Sequence, residues 1–129
     1  GKKAQRINAA VALIAEVNGE DGLDVVRSIL ENTTYAEPVR VSAVLFLQNF
    51  ISEKKYMLEN CEDEVIGVLT QTLTSNDSSR IRGAAANAMG WIHHPAVVQP
   101  LMAARSDEDR KVRKSAKEAL KRLRDAGLS

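Results

Sequence analysis

Several things are scarce in this chain of 129 residues, and each scarcity excludes something. There is one cysteine, Cys61, so no internal disulfide framework holds the fold, and a reducing compartment is the expected setting. Aromatic residues number five: Tyr35, Phe46, Phe50, Tyr56 and Trp91. That is thin for a platform on which bases would stack. The longest purely apolar run is the seven residues Ala9 to Ala15, too short to cross a membrane. No basic start is followed by an apolar stretch and a cleavage site, so no secretory signal is read and the expected location is cytoplasmic. Net charge is nearly absent as well: 18 Lys and Arg against 17 Asp and Glu leave +1, which offers no overall attraction to nucleic acid or anionic lipid. Gly-rich phosphate loops, zinc spacings and Ser/His/Asp signatures are missing.

What the chain has in quantity is helix-forming sequence. Alanine occurs 17 times and proline three, and no window alternates apolar and polar residues over the length of a strand. Alanine loses no side-chain entropy on entering a helix. Apolar residues recur at spacings of three and four, as in Val65, Ile66, Leu69 and Leu73.

The organising feature is a repeat. An arginine is followed three residues later by alanine, and four residues after that by a large apolar residue. The pattern occurs as Arg6-Ala9-Leu13, Arg40-Ala43-Leu47, Arg82-Ala85-Met89 and Arg113-Ala116-Leu120, with arginine spacings of 34, 42 and 31 residues. Those spacings fall around the period of a helix-pair repeat. The alanine and the large residue share one helix face, so a neighbouring helix can approach over the small residue and rest against the large one. The arginine projects near the helix start. Acidic residues precede it, Asp77 before Arg82 and Asp107 and Asp109 before Arg113, and they supply N-caps and acceptors. Arg6, Arg40, Arg82 and Arg113 therefore read as structural clamps between repeats. Between the marked helices lie further apolar stripes: Leu23 to Leu30, Val65 to Leu73 and Val97 to Met102. Gly19, Gly22, Gly90 and Pro95 punctuate the connections.

On these residues the chain resembles the HEAT and armadillo families. Residues 81–90, Ile-Arg-Gly-Ala-Ala-Ala-Asn-Ala-Met-Gly, are similar to the HEAT-like repeat of phycobilisome lyases, and residues 106–113 resemble that family's inter-repeat turn. Residues 53–58 look like an armadillo repeat's short first helix, and Leu47-Gln48-Asn49-Phe50 like its Leu-x-Asn ending. The resemblance implies an all-α fold: a right-handed α-α superhelix (α-solenoid) of about four helix-pair repeats, with residues 1–129 as one repeat domain. It also implies that the Arg-bearing helices line the inner, concave surface. In armadillo repeats the groove positions lie two and six residues after the alanine. Carried across, these are Val11 and Ala15, Leu45 and Asn49, Asn87 and Trp91, and Glu118 and Arg122. Only Asn49 matches the armadillo asparagine, and Trp91 stands in its place one repeat later, either as an exposed anchor or as core. Deoxyhypusine hydroxylases of this fold hold iron through His-Glu pairs. No such pair occurs here, and that activity is not expected. His93 and His94, adjacent before Pro95, read as a solvated turn. Cys61, among Glu59, Glu62, Asp63 and Glu64, sits where carboxylates discourage a thiolate.

The expected function is a non-enzymatic interaction module that binds a protein partner on the concave helical surface through Leu45, Asn49, Asn87, Trp91, Glu118 and Arg122. No cofactor, metal or catalytic residue is expected. A second reading is nucleic-acid or acidic-surface binding through Lys114, Lys117, Lys121 and Arg124, and a third is an accessory lyase or chaperone for a tetrapyrrole protein. Residues 16–77 carry four bases and twelve acids, whereas residues 78–129 carry eleven bases and five acids. In a stack where each repeat touches its neighbours, those blocks stay apart. The last helix, with its lysine face, reads as a C-terminal cap. The first, apolar all round, reads as covered by upstream repeats or a partner, so the chain is expected to be the C-terminal part of a longer solenoid.

Overall fold

The computed structural model describes residues 19–32, 34–53, 61–75 and 77–128. Six α-helices occur among them and no strand: α1 (Gly19–Glu31), α2 (Glu37–Glu53), α3 (Glu62–Thr74), α4 (Ser79–Met89), α5 (Val98–Ala104) and α6 (Arg110–Asp125), with a short 3-10 turn at Pro95–Val97 leading into α5. The Arg6 repeat, the groove positions Val11 and Ala15, the uncapped first helix and the extra segment at 54–58 all lie outside the described residues.

The helices pair as α1 with α2, α3 with α4, and α5 with α6. Consecutive pairs then stack in two layers. Helices α2, α4 and α6 form one layer, and α1, α3 and α5 the other. Segment 106–113 is thus the turn inside the α5–α6 pair rather than a link between pairs.

Local chemistry explains three of the starts and one stop. Three acids, Glu62, Asp63 and Glu64, open α3 at the positive end of its dipole. Ser78 caps α4, its hydroxyl accepting from the Ile81 backbone N–H at 3.3 Å. Asp109 caps α6 and accepts from the backbone N–H groups of Lys111 and Val112 at 2.8 and 3.2 Å. The far end of α6 closes with a Schellman turn. Leu128 N–H reaches back to Leu123 O at 2.9 Å, and Gly127 N–H bonds Arg124 O at 3.0 Å. Gly127 has φ +97°, a conformation that a side chain would disfavour, and Leu128 folds back against the core.

Burial tracks position in the stack. Helix α6, at the end, buries one stripe: Val112, Ala116, Ala119 and Leu123. Helix α4, in the middle, buries seven of its eleven residues: Ile81, Arg82, Gly83, Ala85, Ala86, Ala88 and Met89. Its small side chains let α2, α3 and α6 all approach it. Gly90, just beyond α4, has φ −65°, which any residue can adopt. Its requirement is space: a Cβ there would lie 2.8 Å from Ala119 Cβ and 2.9 Å from Ala119 Cα on α6.

Candidate functional site: a ladder of arginines and a polar row

The repeat arginines join consecutive turns. Arg40, near the start of α2, meets the Asp77 carboxylate in the turn of the next pair with both ends of its fork, Nε to Oδ2 at 3.1 Å and Nη2 to Oδ1 at 2.6 Å. Arg82 repeats the arrangement with Asp107, at 3.2 and 3.0 Å. In each case the remaining nitrogen, Nη1, donates to a carbonyl oxygen of the arginine's own turn: Tyr35 O for Arg40 and Asp77 O for Arg82. Each aspartate thus serves the arginine of the preceding repeat with its carboxylate, and its backbone oxygen serves the arginine that follows. Sequence proximity suggests the opposite pairing for Asp77. Both pairs are nearly enclosed, with side chains 10% and 12% exposed in the first and 10% and 15% in the second.

Enclosure alone would disfavour these charges, but the fork geometry more than offsets it. The hydrogen-bonded Arg82 guanidinium holds the Asp107 carboxyl below its ordinary range, against the opposing effect of burial, and the Asp109 backbone N–H adds to the shift. Asp107 in turn raises Arg82 above its already high value.

A second constellation crosses the α2–α4–α6 layer. Asn87 on α4 donates from Nδ2 to Gln48 Oε1 on α2 at 3.3 Å, and Arg122 Nη1 on α6 approaches Asn87 Oδ1 at 3.5 Å. The Arg122 guanidinium also lies over the Trp91 ring, 4.2 Å from its centroid. Trp91 is therefore neither core nor a free anchor: it is 36% exposed, with Arg122 covering one face of its ring. Leu45 is the most exposed large apolar residue among the described residues at 47%, and Asn49, one turn further along α2, is also exposed. Glu118 is exposed on α6, and Asn87 and Arg122 are half-buried. Of the residues singled out from sequence, Asn87, Trp91 and Arg122 come together. Gln48 completes the row, and no groove register pointed to it. Lys114, Lys117, Lys121 and Arg124 all project from the exposed side of α6.

His94 does local work. Its Nδ1 accepts the Ala96 backbone N–H at 3.0 Å, capping the 3-10 turn, and its Nε2 lies 3.7 Å from Glu62 Oε1. Cys61 is buried at the start of α3. Among the described residues no group of three or more His, Cys, Asp or Glu side chains could hold a metal ion, and no helix is long and apolar enough to cross a membrane.

Comparison with known families places this architecture. A family model of HEAT repeats matches residues 56–121, half of the chain. The chain belongs to the HEAT repeat family. This HEAT module is also similar in structure to human deoxyhypusine hydroxylase in complex with glycerol, with a TM-score of 0.50 and 22% identity. That match covers 80% of this chain and 43% of the hydroxylase chain, so the module spans less than half the length of that relative. At this identity the likeness concerns the fold alone. No curated protein sequence matches the chain.

Proposed function

We propose that this HEAT module is a non-enzymatic scaffold that binds a segment of a protein partner across the α2–α4–α6 layer. One observation carries the reading: a continuous row of Gln48, Asn87 and Arg122 spans all three helices of that layer beside the part-exposed Trp91 and Leu45. A part-exposed tryptophan with an arginine stacked on it, next to a side-chain amide, brings together the residue types most enriched at interaction hot spots. HEAT repeat modules generally act as protein-interaction scaffolds, which agrees with it.

Rigidity also favours this surface. The row sits on helices whose packing and rung contacts are buried, so little ordering entropy is lost when a partner docks. The test is affinity capture from native extract with the immobilised chain and three variants. Trp91→Ala and Arg122→Glu should each lower recovery of a specific partner roughly tenfold, the effect expected of a hot-spot residue. Met102→Ala, at an exposed apolar residue on α5 in the other layer, should leave recovery unchanged. Equal capture by all four proteins, or loss with Met102→Ala alone, would place the binding surface elsewhere.

A further inference from the structure

Among the described residues the arginine ladder leaves one rung open. Arg40 and Arg82 each give Nη1 to a carbonyl of their own turn and the Nε/Nη2 edge to an aspartate of the next turn. Arg113 makes the first of these contacts, donating from Nη1 to Asp107 O at 2.6 Å. Among the described residues no carboxylate takes its other edge. In the two closed rungs the carbonyl contact accompanies a fork aimed at an aspartate of the following turn. The same contact on Arg113 leaves its Nε and Nη2 donors as the edge equivalent to the one that takes the aspartate in the closed rungs. The Arg113 side chain lines a shallow depression with Arg110, Lys114, Lys117 and Glu118.

The face around that fork is charged. Helix α6 directs its apolar stripe inward and exposes Lys111, Lys114, Lys117, Lys121 and Arg124 on its other side. The exposed side chains there are charged at their tips, so a ligand of opposite charge is favoured. The chemistry that fits the fork is already displayed twice in the chain: a single aspartate carboxylate, taken side-on by two parallel N–H donors.

We infer that Arg113 is a receptor for an aspartate in an acidic turn of a partner protein, bound through Nε and Nη2 as Asp77 and Asp107 are bound by Arg40 and Arg82. Arg110, Lys114 and Lys117 draw the acidic turn in, an on-rate effect that salt weakens. Glu118, the one acid on the rim, works against a uniformly anionic ligand such as nucleic acid and favours a compact turn with one leading carboxylate. This surface lies at the end of the stack and is separate from the row around Trp91.

The probe is a short synthetic peptide in which a Ser-Asp-Glu-Asp turn, copied from residues 106–109, leads into a helix. Its control carries Asn for the first Asp. The readout is the Nε–Hε cross-peak of Arg113 in 1H–15N spectra of the whole chain, assigned by its disappearance in Arg113→Lys. The aspartate peptide should shift that peak saturably. Arg113→Lys keeps the charge and removes the fork, and it should weaken binding roughly tenfold. The pair Lys114→Gln and Lys117→Gln, whose side chains make no hydrogen bond among the described residues, should weaken binding less and leave the Nε shift in place. Trp91→Ala should leave it unchanged, so failure here is distinguishable from failure of the groove reading. Four results overturn the inference: an equal shift with the Asn peptide, undiminished binding by folded Arg113→Lys, a shift obtained at lower concentration with inorganic phosphate or oligo-dT, or the same shift from self-association without peptide.

Discussion

Replacing Asp107 by Asn tests the ladder directly. The substitution keeps the shape of the side chain and one acceptor oxygen, and it removes the charge that faces Arg82. In the intact rung the two charge-assisted bonds measure 3.0 and 3.2 Å, and the pair is mostly covered at the rim of a surface pocket, so solvent replaces only part of the lost partner. Removing one member of a buried pair outright costs about 3–5 kcal/mol. The amide retains part of the contact, so about 2–3 kcal/mol is expected at neutral pH. The difference between wild type and variant should also depend on pH in a definite sense. The folded Asp107 carboxyl is held below its ordinary value of 3.8 by Arg82. A carboxylate with a lowered folded pKa contributes stability that is fully present above the unfolded value and is lost as pH falls through the folded one. The gap should therefore stay constant from pH 7 to about 5, then shrink by about 1.4 kcal/mol per unit between the unfolded and folded pKa values. Urea denaturation followed by far-UV circular dichroism at a series of pH values measures both quantities. A variant as stable as wild type at pH 7, or a gap that persists unchanged to pH 3, would refute the rung as an energetic joint.

Two glycines on α4 and its exit should respond in opposite directions. Gly90→Ala drives a methyl into Ala119 on α6 and should cost about 1–3 kcal/mol, as overpacking does. Gly83→Ala meets only the Ser115 hydroxyl at 3.5 Å and should be neutral or stabilising by up to about 1 kcal/mol, the helix-interior preference for alanine. Thermal melts of both variants decide the matter. Loss of either N-cap, by Ser78→Ala or Asp109→Ala, should cost about 1 kcal/mol. Hydrogen exchange should locate that loss at the first turn of α4 or of α6 respectively.

The helices and their pairing were legible in sequence because periodicity and small-residue placement act locally and are written at fixed offsets. Arg40-Ala43-Leu47 and Arg82-Ala85-Met89 mark two neighbouring helices of the three-helix layer. Which aspartate each arginine takes was not legible. The partners lie 37 and 25 residues away, and nearer acids compete on paper. The geometry that selects them is the stacking of whole repeats. The same limit applies to the groove: offsets placed Asn87, Trp91 and Arg122 on one layer, but the stacking of Arg122 on Trp91 and the link to Gln48 depend on how α2, α4 and α6 sit side by side. Gly90 looked like turn punctuation. Its dihedral shows that the turn does not need it and that the neighbouring helix does.

The rungs share one location, the turn end of each helix pair, and this has a mechanical consequence. At that edge successive repeats are stitched by enclosed two-point contacts. At the opposite edge the described links between repeats are more exposed: the Arg27–Glu64 ion pair at 3.5 Å, the His94–Glu62 approach at 3.7 Å and the stacking of Arg122 on Trp91. A stack bound this way resembles a book held at its spine. Bending should fan the helices at the free edge and leave the rungs unchanged, so strain on the stack is taken up by the half-exposed contacts while the enclosed joints hold.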